Sequence, residues 1–153
     1  MSGTRTDPDR SRYFCLIVYR LTRQRYSALD GEGARRVGGR CNKIGTPAVY
    51  TSEHASLAVL EVLVHIDKSE LPRDYVLMAV EIENHEIPAG TAEAARAAGA
   101  SKRHPVFRVP SIVVPCEANY ILYPHAPGLR ARILFIEPFS FDSRLFLPVR
   151  VIK

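Results

Sequence analysis

Between Leu57 and Val64 the chain reads Leu-Ala-Val-Leu-Glu-Val-Leu-Val, and Glu61 is the only polar residue in the run. A helix this apolar is a buried one, so the fold has to be assembled around it. Its carboxylate then needs an explanation. The helical neighbours of Glu61 at three and four positions are Leu57, Ala58, Val64 and His65. A carboxylate in such a site is costly unless it is paired or hydrogen-bonded, and residues that break a local rule often mark function. Against this, His54, Ala58, Glu61 and His65 also line up at helical spacing and would make a narrow solvated stripe. The helix alone leaves both readings open.

The remaining chain reads as one domain. With 153 residues it can bury roughly two-thirds of its unfolded surface. Residues 1–12 are polar, carry three arginines and read as a disordered tail, leaving 13–153 as a single domain. No signal-peptide core follows the tail, and no run approaches the length of a membrane span. Cys15, Cys41 and Cys116 are odd in number and widely spaced, which fits free thiols in a reducing cytoplasm. The net charge of +5 (21 basic minus 16 acidic) favours anionic partners without naming one.

Strands are expected at Phe14–Arg20, Ala48–Thr51, Val76–Ile82, Arg108–Val114, Tyr120–Tyr123 and Arg132–Ile136, with another candidate at Leu145–Ile152. The main helix is expected over 53–66, with Ser52 as N-cap, Glu53 in its first turn and His65 in its last. A short Ala-rich helix is expected at Thr91–Ala98, with Thr91 as N-cap and Gly99 as its stop. This is an α+β layout of mixed or antiparallel strands. Leu21–Gly45 has little periodicity and reads as a long structured loop or short helical turns, a length that is usually functional or disordered.

That loop region is strongly cationic. Arg20, Arg23, Arg25, Arg35, Arg36, Arg40 and Lys43 are opposed only by Asp30 and Glu32, with Gly31, Gly33, Gly38 and Gly39 interleaved. Arginine forks bind phosphate bidentately, and glycines let backbone N–H groups approach it. A basic solvated loop or a nucleic-acid patch is the plainer alternative. The five histidines lack metal-ligand grammar, so no metal is expected. There is no Gly-x-Ser-x-Gly elbow, and the cysteines lack an evident base.

Read together, loop and helix form one block. It runs Gly38-Gly39-Arg40-Cys41-Asn42, Gly45, Ala48-Val49-Tyr50-Thr51-Ser52 and Leu57-Ala58-Val59-Leu60-Glu61, followed downstream by Val109–Pro115, Asn119, Pro124-His125 and Phe141–Leu145. This block resembles the RES-domain family, whose hallmark is an ordered arginine, glutamate and serine. The resemblance implies a compact α+β domain related to the ADP-ribosyltransferase toxins. It also implies an NAD⁺-consuming toxin of a toxin–antitoxin pair, neutralised by an Xre-type helix-turn-helix antitoxin.

Matched motif to motif, Arg40, Glu61 and Ser111 are the implied catalytic residues, and Arg20, Tyr50 and Asn42 the implied substrate-binding ones. NAD⁺ is then the substrate rather than a cofactor. Nicotinamide–ribose cleavage passes through an oxocarbenium-like cation, which a carboxylate such as Glu61 can stabilise. Arg40 and Arg20 would grip the pyrophosphate, Tyr50 would stack on nicotinamide, Ser111 would offer a hydroxyl to ribose or carboxamide, and Asn42 would shape the loop.

Water or inorganic phosphate would attack the anomeric carbon, making the enzyme a glycohydrolase or phosphorylase. The alternatives are a mono-ADP-ribosyltransferase acting on a protein and a non-catalytic module for nucleic acid or another anion. Neither a membrane nor direct nucleic-acid binding is expected of the principal reading. Two departures stand out. Cys41 takes the place of an aromatic residue and is expected to loosen pocket packing, and the segment between Pro88 and Val109 is short, which bears on the pocket rim.

Overall fold

The structure, a computed structural model, describes residues 14–67, 69, 71–84 and 86–146. Six strands form one sheet: β1 (Phe14–Arg23), β2 (Val49–Ser52), β3 (Tyr75–Asn84), β4 (Val106–Pro110), β5 (Ala118–Leu122) and β6 (Arg130–Pro138). Their order is β4-β5-β2-β1-β3-β6, with every neighbouring pair antiparallel. Among the described residues three α-helices accompany it: α1 (Glu32–Val37), α2 (Ala55–Leu63) and α3 (Ala92–Ser101). No helix among the described residues is long and apolar enough to cross a membrane.

Alternation along the strands sorts side chains to two faces. Val18, Val49, Val80, Tyr120 and Leu122 gather in one continuous cluster on the first. The second face carries two separate clusters. Cys41, Phe107, Val109, Ile121 and Tyr123 lie over the β4-β5-β2 half, whereas Leu21, Ala58 and Phe141 lie over the β1-β3 half, under α2. The division follows from the ladder. β1 pairs with β3 along ten consecutive positions but meets β2 only at Tyr19↔Ser52. Beyond that pair the two halves of the sheet part, and the opening is where the cavity lies.

Several elements differ from expectation in their ends. The strand expected to end at Arg20 continues to Arg23, because its apolar partners on β3 continue to Tyr75. The main helix is shorter than 53–66: Ser52 belongs to β2, and the N-cap is His54, whose side chain makes no capping bond. The helix is also not enclosed all round. Leu57 and Ala58 are buried, but Leu60 and Val64 are exposed on its outer stripe, since a single sheet covers only one side of it.

Thr91 does cap α3, its hydroxyl accepting from the Ala94 N–H at 3.1 Å. Gly99, expected as a stop, lies inside α3, and Lys102 takes the left-handed terminal position at φ 55°. Gly99 is there for space: a Cβ would fall 2.3 Å from the Tyr123 ring. Of the expected Leu145–Ile152 run, Leu145 and Phe146 belong to a 3₁₀ turn over Ser143–Phe146, and the rest lies outside the described residues, as does the 1–12 tail.

Gly99→Ala should therefore destabilise the fold by about 1–3 kcal/mol through overpacking. Leu57→Ala should cost about 2–5 kcal/mol through a cavity beneath α2. Urea unfolding with unchanged m-values is the measurement for both.

Candidate functional site

The parting of β1 from β2 opens a cavity of about 580 Å³, walled by Arg20 of β1, Tyr50 and Ser52 of β2, Glu61 of α2, Asn119 of β5 and residues of the 25–37 segment. Its floor is a row of side chains set by register. Tyr19 stands opposite Ser52, and Ser52 opposite Asn119, across three adjacent strands. α2 lies over this row and lowers Glu61 onto it.

Glu61 is half-buried, and among the described residues hydrogen bonds reach its carboxylate on one oxygen. Oε1 accepts from the Ser111 hydroxyl at 2.6 Å and from the Asn119 amide at 2.7 Å. These charge-assisted bonds offset the desolvation that the apolar helix would impose. Ser111 is itself pinned, its Oγ accepting from the Val113 and Val114 N–H groups at 3.1 and 3.0 Å. Asn119 is held from its other side by Ser52, whose hydroxyl donates to Oδ1 at 2.8 Å. The solvated-stripe alternative does not describe this carboxylate.

Arg20 is half-buried on the cavity wall, and its guanidinium donates to the Ala28 carbonyl at 3.2 Å. Loss of hydration pushes its pKa down, with Asp30 partly restoring it. No carboxylate is within salt-bridge distance of Arg20 among the described residues. A poorly hydrated guanidinium with donors to spare is suited to an anion. Arg25 and Arg36 join it on the wall, Arg25 lying 4.8 Å over the Tyr26 ring.

Tyr50 lines the cavity, but its hydroxyl is used elsewhere. It accepts from the Cys41 N–H at 3.0 Å and donates to Asn42 Oδ1 at 2.7 Å. Burial pushes its pKa up to about 12, opposed by the Cys41 N–H and by the charges of Arg40 and Arg96. Gly39 is required beside it, since a Cβ there would lie 2.5 Å from the hydroxyl oxygen. Asn42 is buried and donates to the Ala34 and Thr46 carbonyls at 2.8 and 3.0 Å.

The structure thus brings Arg20, Tyr50 and Glu61 to one cavity, with Ser111 directly behind Glu61. Asn42 is not on the wall: it ties the loop to Tyr50. Arg40 is not on the wall either. It occupies the tip of a tight turn closed by Gly39–Asn42 hydrogen bonds, where its side chain is exposed while Cys41 turns inward. Cys41 does not line the cavity; it is buried among Ala95, Phe107 and Tyr123, behind the wall. Nor does the 88–109 segment form the rim, for none of its residues lines the cavity. Its α3 instead braces the turn, Arg96 donating to the Gly39 carbonyl at 3.0 Å.

Ser52 and Asn119 stand in the motif block read from the sequence, which gives neither of them a role in the site. The signal is a polar residue in each of two paired strands, and in sequence Ser52 reads equally as a helix cap. Elsewhere, Glu53, His54 and Glu117 converge at the start of α2, with His54 Nδ1 3.4 Å from Glu117. Glu53 Oε1 already accepts from the Ala118 N–H at 2.9 Å, and the helix dipole there disfavours a cation.

The wall also contains a pH-sensitive clamp. Glu32 accepts from Arg35 at 2.7 and 2.6 Å and from Arg36 at 3.1 Å, which holds its pKa down at about 2 against an ordinary value of 4.5. A lowered carboxyl pKa gives stability that is present above the unfolded value and lost as pH falls through the folded one. Wild type should therefore melt above Glu32→Gln at neutral pH, with the difference shrinking between about 4.5 and about 2.

The RES domain family matches residues 17–91. Toxin Res of Photorhabdus laumondii is 37% identical, over 85% of this chain and 97% of that protein. Toxin Res of Pseudomonas putida is 31% identical, over 86% and 100%. The Prs ADP-ribosylating toxin of Sphingobium sp. is 30% identical, over 76% and 86%. A solved chain of the M. tuberculosis MbcT–MbcA toxin–antitoxin complex shares the fold, with a TM-score of 0.59 at 22% identity, over 82% of this chain and 88% of that one. With identity above 30% along nearly the full length of the Res toxins, together with the family match, the chain belongs to the RES-domain family.

Proposed function

We propose that this chain is the toxin of a toxin–antitoxin pair and that its cavity binds NAD⁺ and cleaves the nicotinamide–ribose bond. One observation carries the reading: a half-buried carboxylate, held on one oxygen by two donors, shares a cavity with an anion-seeking arginine and an aromatic ring. In this reading Arg20, helped by Arg25 and Arg36, takes the pyrophosphate. Tyr50 offers its ring to nicotinamide while its hydroxyl anchors the loop. Arg40 adds positive potential at that end from outside.

The carbon–nitrogen bond breaks with its electron pair passing to the pyridinium nitrogen, so nicotinamide leaves neutral and needs no proton. The ribose is left as an oxocarbenium-like cation, whose charge Glu61 stabilises in a low-dielectric setting. Water then adds with loss of a proton, giving a glycohydrolase, or inorganic phosphate adds, giving a phosphorylase. A protein nucleophile is the second reading, favoured by the relative named an ADP-ribosylating toxin. The partner in this proposal is an Xre-type helix-turn-helix antitoxin, a class implied by the family resemblance. The toxin–antitoxin complex among the structural neighbours supports an antitoxin partner.

Purified antitoxin-free protein should release nicotinamide from NAD⁺. Glu61→Gln should reduce kcat by on the order of 100-fold or more. Arg20→Ala should raise KM for NAD⁺ by roughly 10- to 100-fold, the worth of a charge-assisted contact. Repeating the assay with phosphate, and with labelled NAD⁺ and cell protein, separates the three acceptors. Equal, negligible release by wild type and Glu61→Gln would remove the catalytic reading, and salt-sensitive RNA binding indifferent to Arg20 would favour a binding module.

A further inference from the structure

We propose that Ser52 and Asn119 are positioning residues that make Glu61 act through a single oxygen, Oε2. The proposal rests on the reading of Glu61 as the group that meets the ribose, and it concerns how that group is aimed. Ser111 and Asn119 both donate to Oε1, at 2.6 and 2.7 Å, and no hydrogen bond reaches Oε2 among the described residues. Neither donor is free to turn away. The Ser111 oxygen already accepts from Val113 and Val114, so its one hydrogen goes to Glu61. The Asn119 NH₂ group faces Glu61 because a carboxylate only accepts, and the amide oxygen on the other side accepts from the Ser52 hydroxyl at 2.8 Å.

The reversed amide would place a carbonyl oxygen against a carboxylate, two acceptors with no hydrogen between them. Ser52 and Asn119 are buried and directly opposed in the β2–β5 ladder, so backbone register sets the distance between them. Ser52 thereby orients Glu61 through two hydrogen bonds without touching it. Rotation of the carboxylate to exchange its oxygens would break both bonds to Oε1. Glu61 consequently offers one acceptor in one direction, a one-point contact to a ribose hydroxyl or to the developing cation.

The test follows nicotinamide release from NAD⁺ across pH for wild type, Asn119→Ala, Asn119→Asp, Ser52→Ala, Ser52→Thr and Glu61→Gln. Asn119→Ala should lower kcat roughly 10- to 100-fold while KM moves much less. Ser52→Ala should do the same to a smaller degree, and Ser52→Thr, which keeps the donor, should restore most of the loss. Asn119→Asp sets a second carboxylate beside the first, and two such groups resist ionising together, so the acid limb of kcat should move about one pH unit or more upward.

A readout that needs no folded variant is the side-chain amide signal of Asn119 in the wild-type protein. It should titrate along the acid limb of the activity profile. An unmoved acid limb in Asn119→Asp together with a flat amide signal would overturn the positioning role, even with Glu61→Gln inactive. Wild type and Glu61→Gln with equal activity would instead overturn the functional reading, and the amide titration would still decide whether Asn119 senses Glu61.

Discussion

A carboxylate set into an apolar helix has to find hydrogen-bond donors, and the arrangement around the cavity is the means by which this chain supplies them. Glu61 lies on α2, Ser111 on the turn after β4, and Asn119 on β5. The two donors are 50 and 58 residues from the acceptor. Bringing them within 2.7 Å requires the β4–β5 hairpin to pair with β2 and α2 to cross β1 on the same face. The fold and the charge are therefore mutually dependent. Without the sheet the carboxylate would be an uncompensated burial, and without the carboxylate two buried polar side chains would lose a partner.

Much of this was legible in the sequence, and the rest was not for identifiable reasons. Runs rich in β-branched and aromatic residues located the strands, although pairing partners lengthened some, and the run expected at 108–114 leaves the sheet after Pro110, where Ser111 turns to Glu61. The alanine-rich α3 and its Thr91 cap were readable because capping is local chemistry. Ser52 was misassigned because a serine before a helix and a serine ending a strand look alike in sequence; only the β2–β5 register, a non-local fact, decides between them. Gly99 was misread for a similar reason, since the ring of Tyr123 that demands it is 24 positions away.

The site was legible in composition more than in geometry. Seven cations and four glycines between Arg20 and Lys43 pointed to an anion, but not to which cations would face it. The turn at Gly39–Asn42 decides this by alternation, sending Cys41 inward and Arg40 outward. Arg20, in a strand where a charged residue is otherwise out of place, carries the internal positive charge. Asn42 and Tyr50 show how one motif divides its labour: the amide and the phenol bind each other so that the ring alone faces the cavity.

The single Tyr19↔Ser52 pairing between β1 and β2 has a further consequence. Arg20 belongs to one half-sheet, whereas Tyr50, Ser52 and Asn119 belong to the other, and one ladder position joins them. A ligand that contacts both groups would bridge the seam and supply attraction where the ladder supplies none. Occupancy and cohesion of the sheet are then thermodynamically linked, so whatever fills the cavity acts in part as the strand contact that the polypeptide omits.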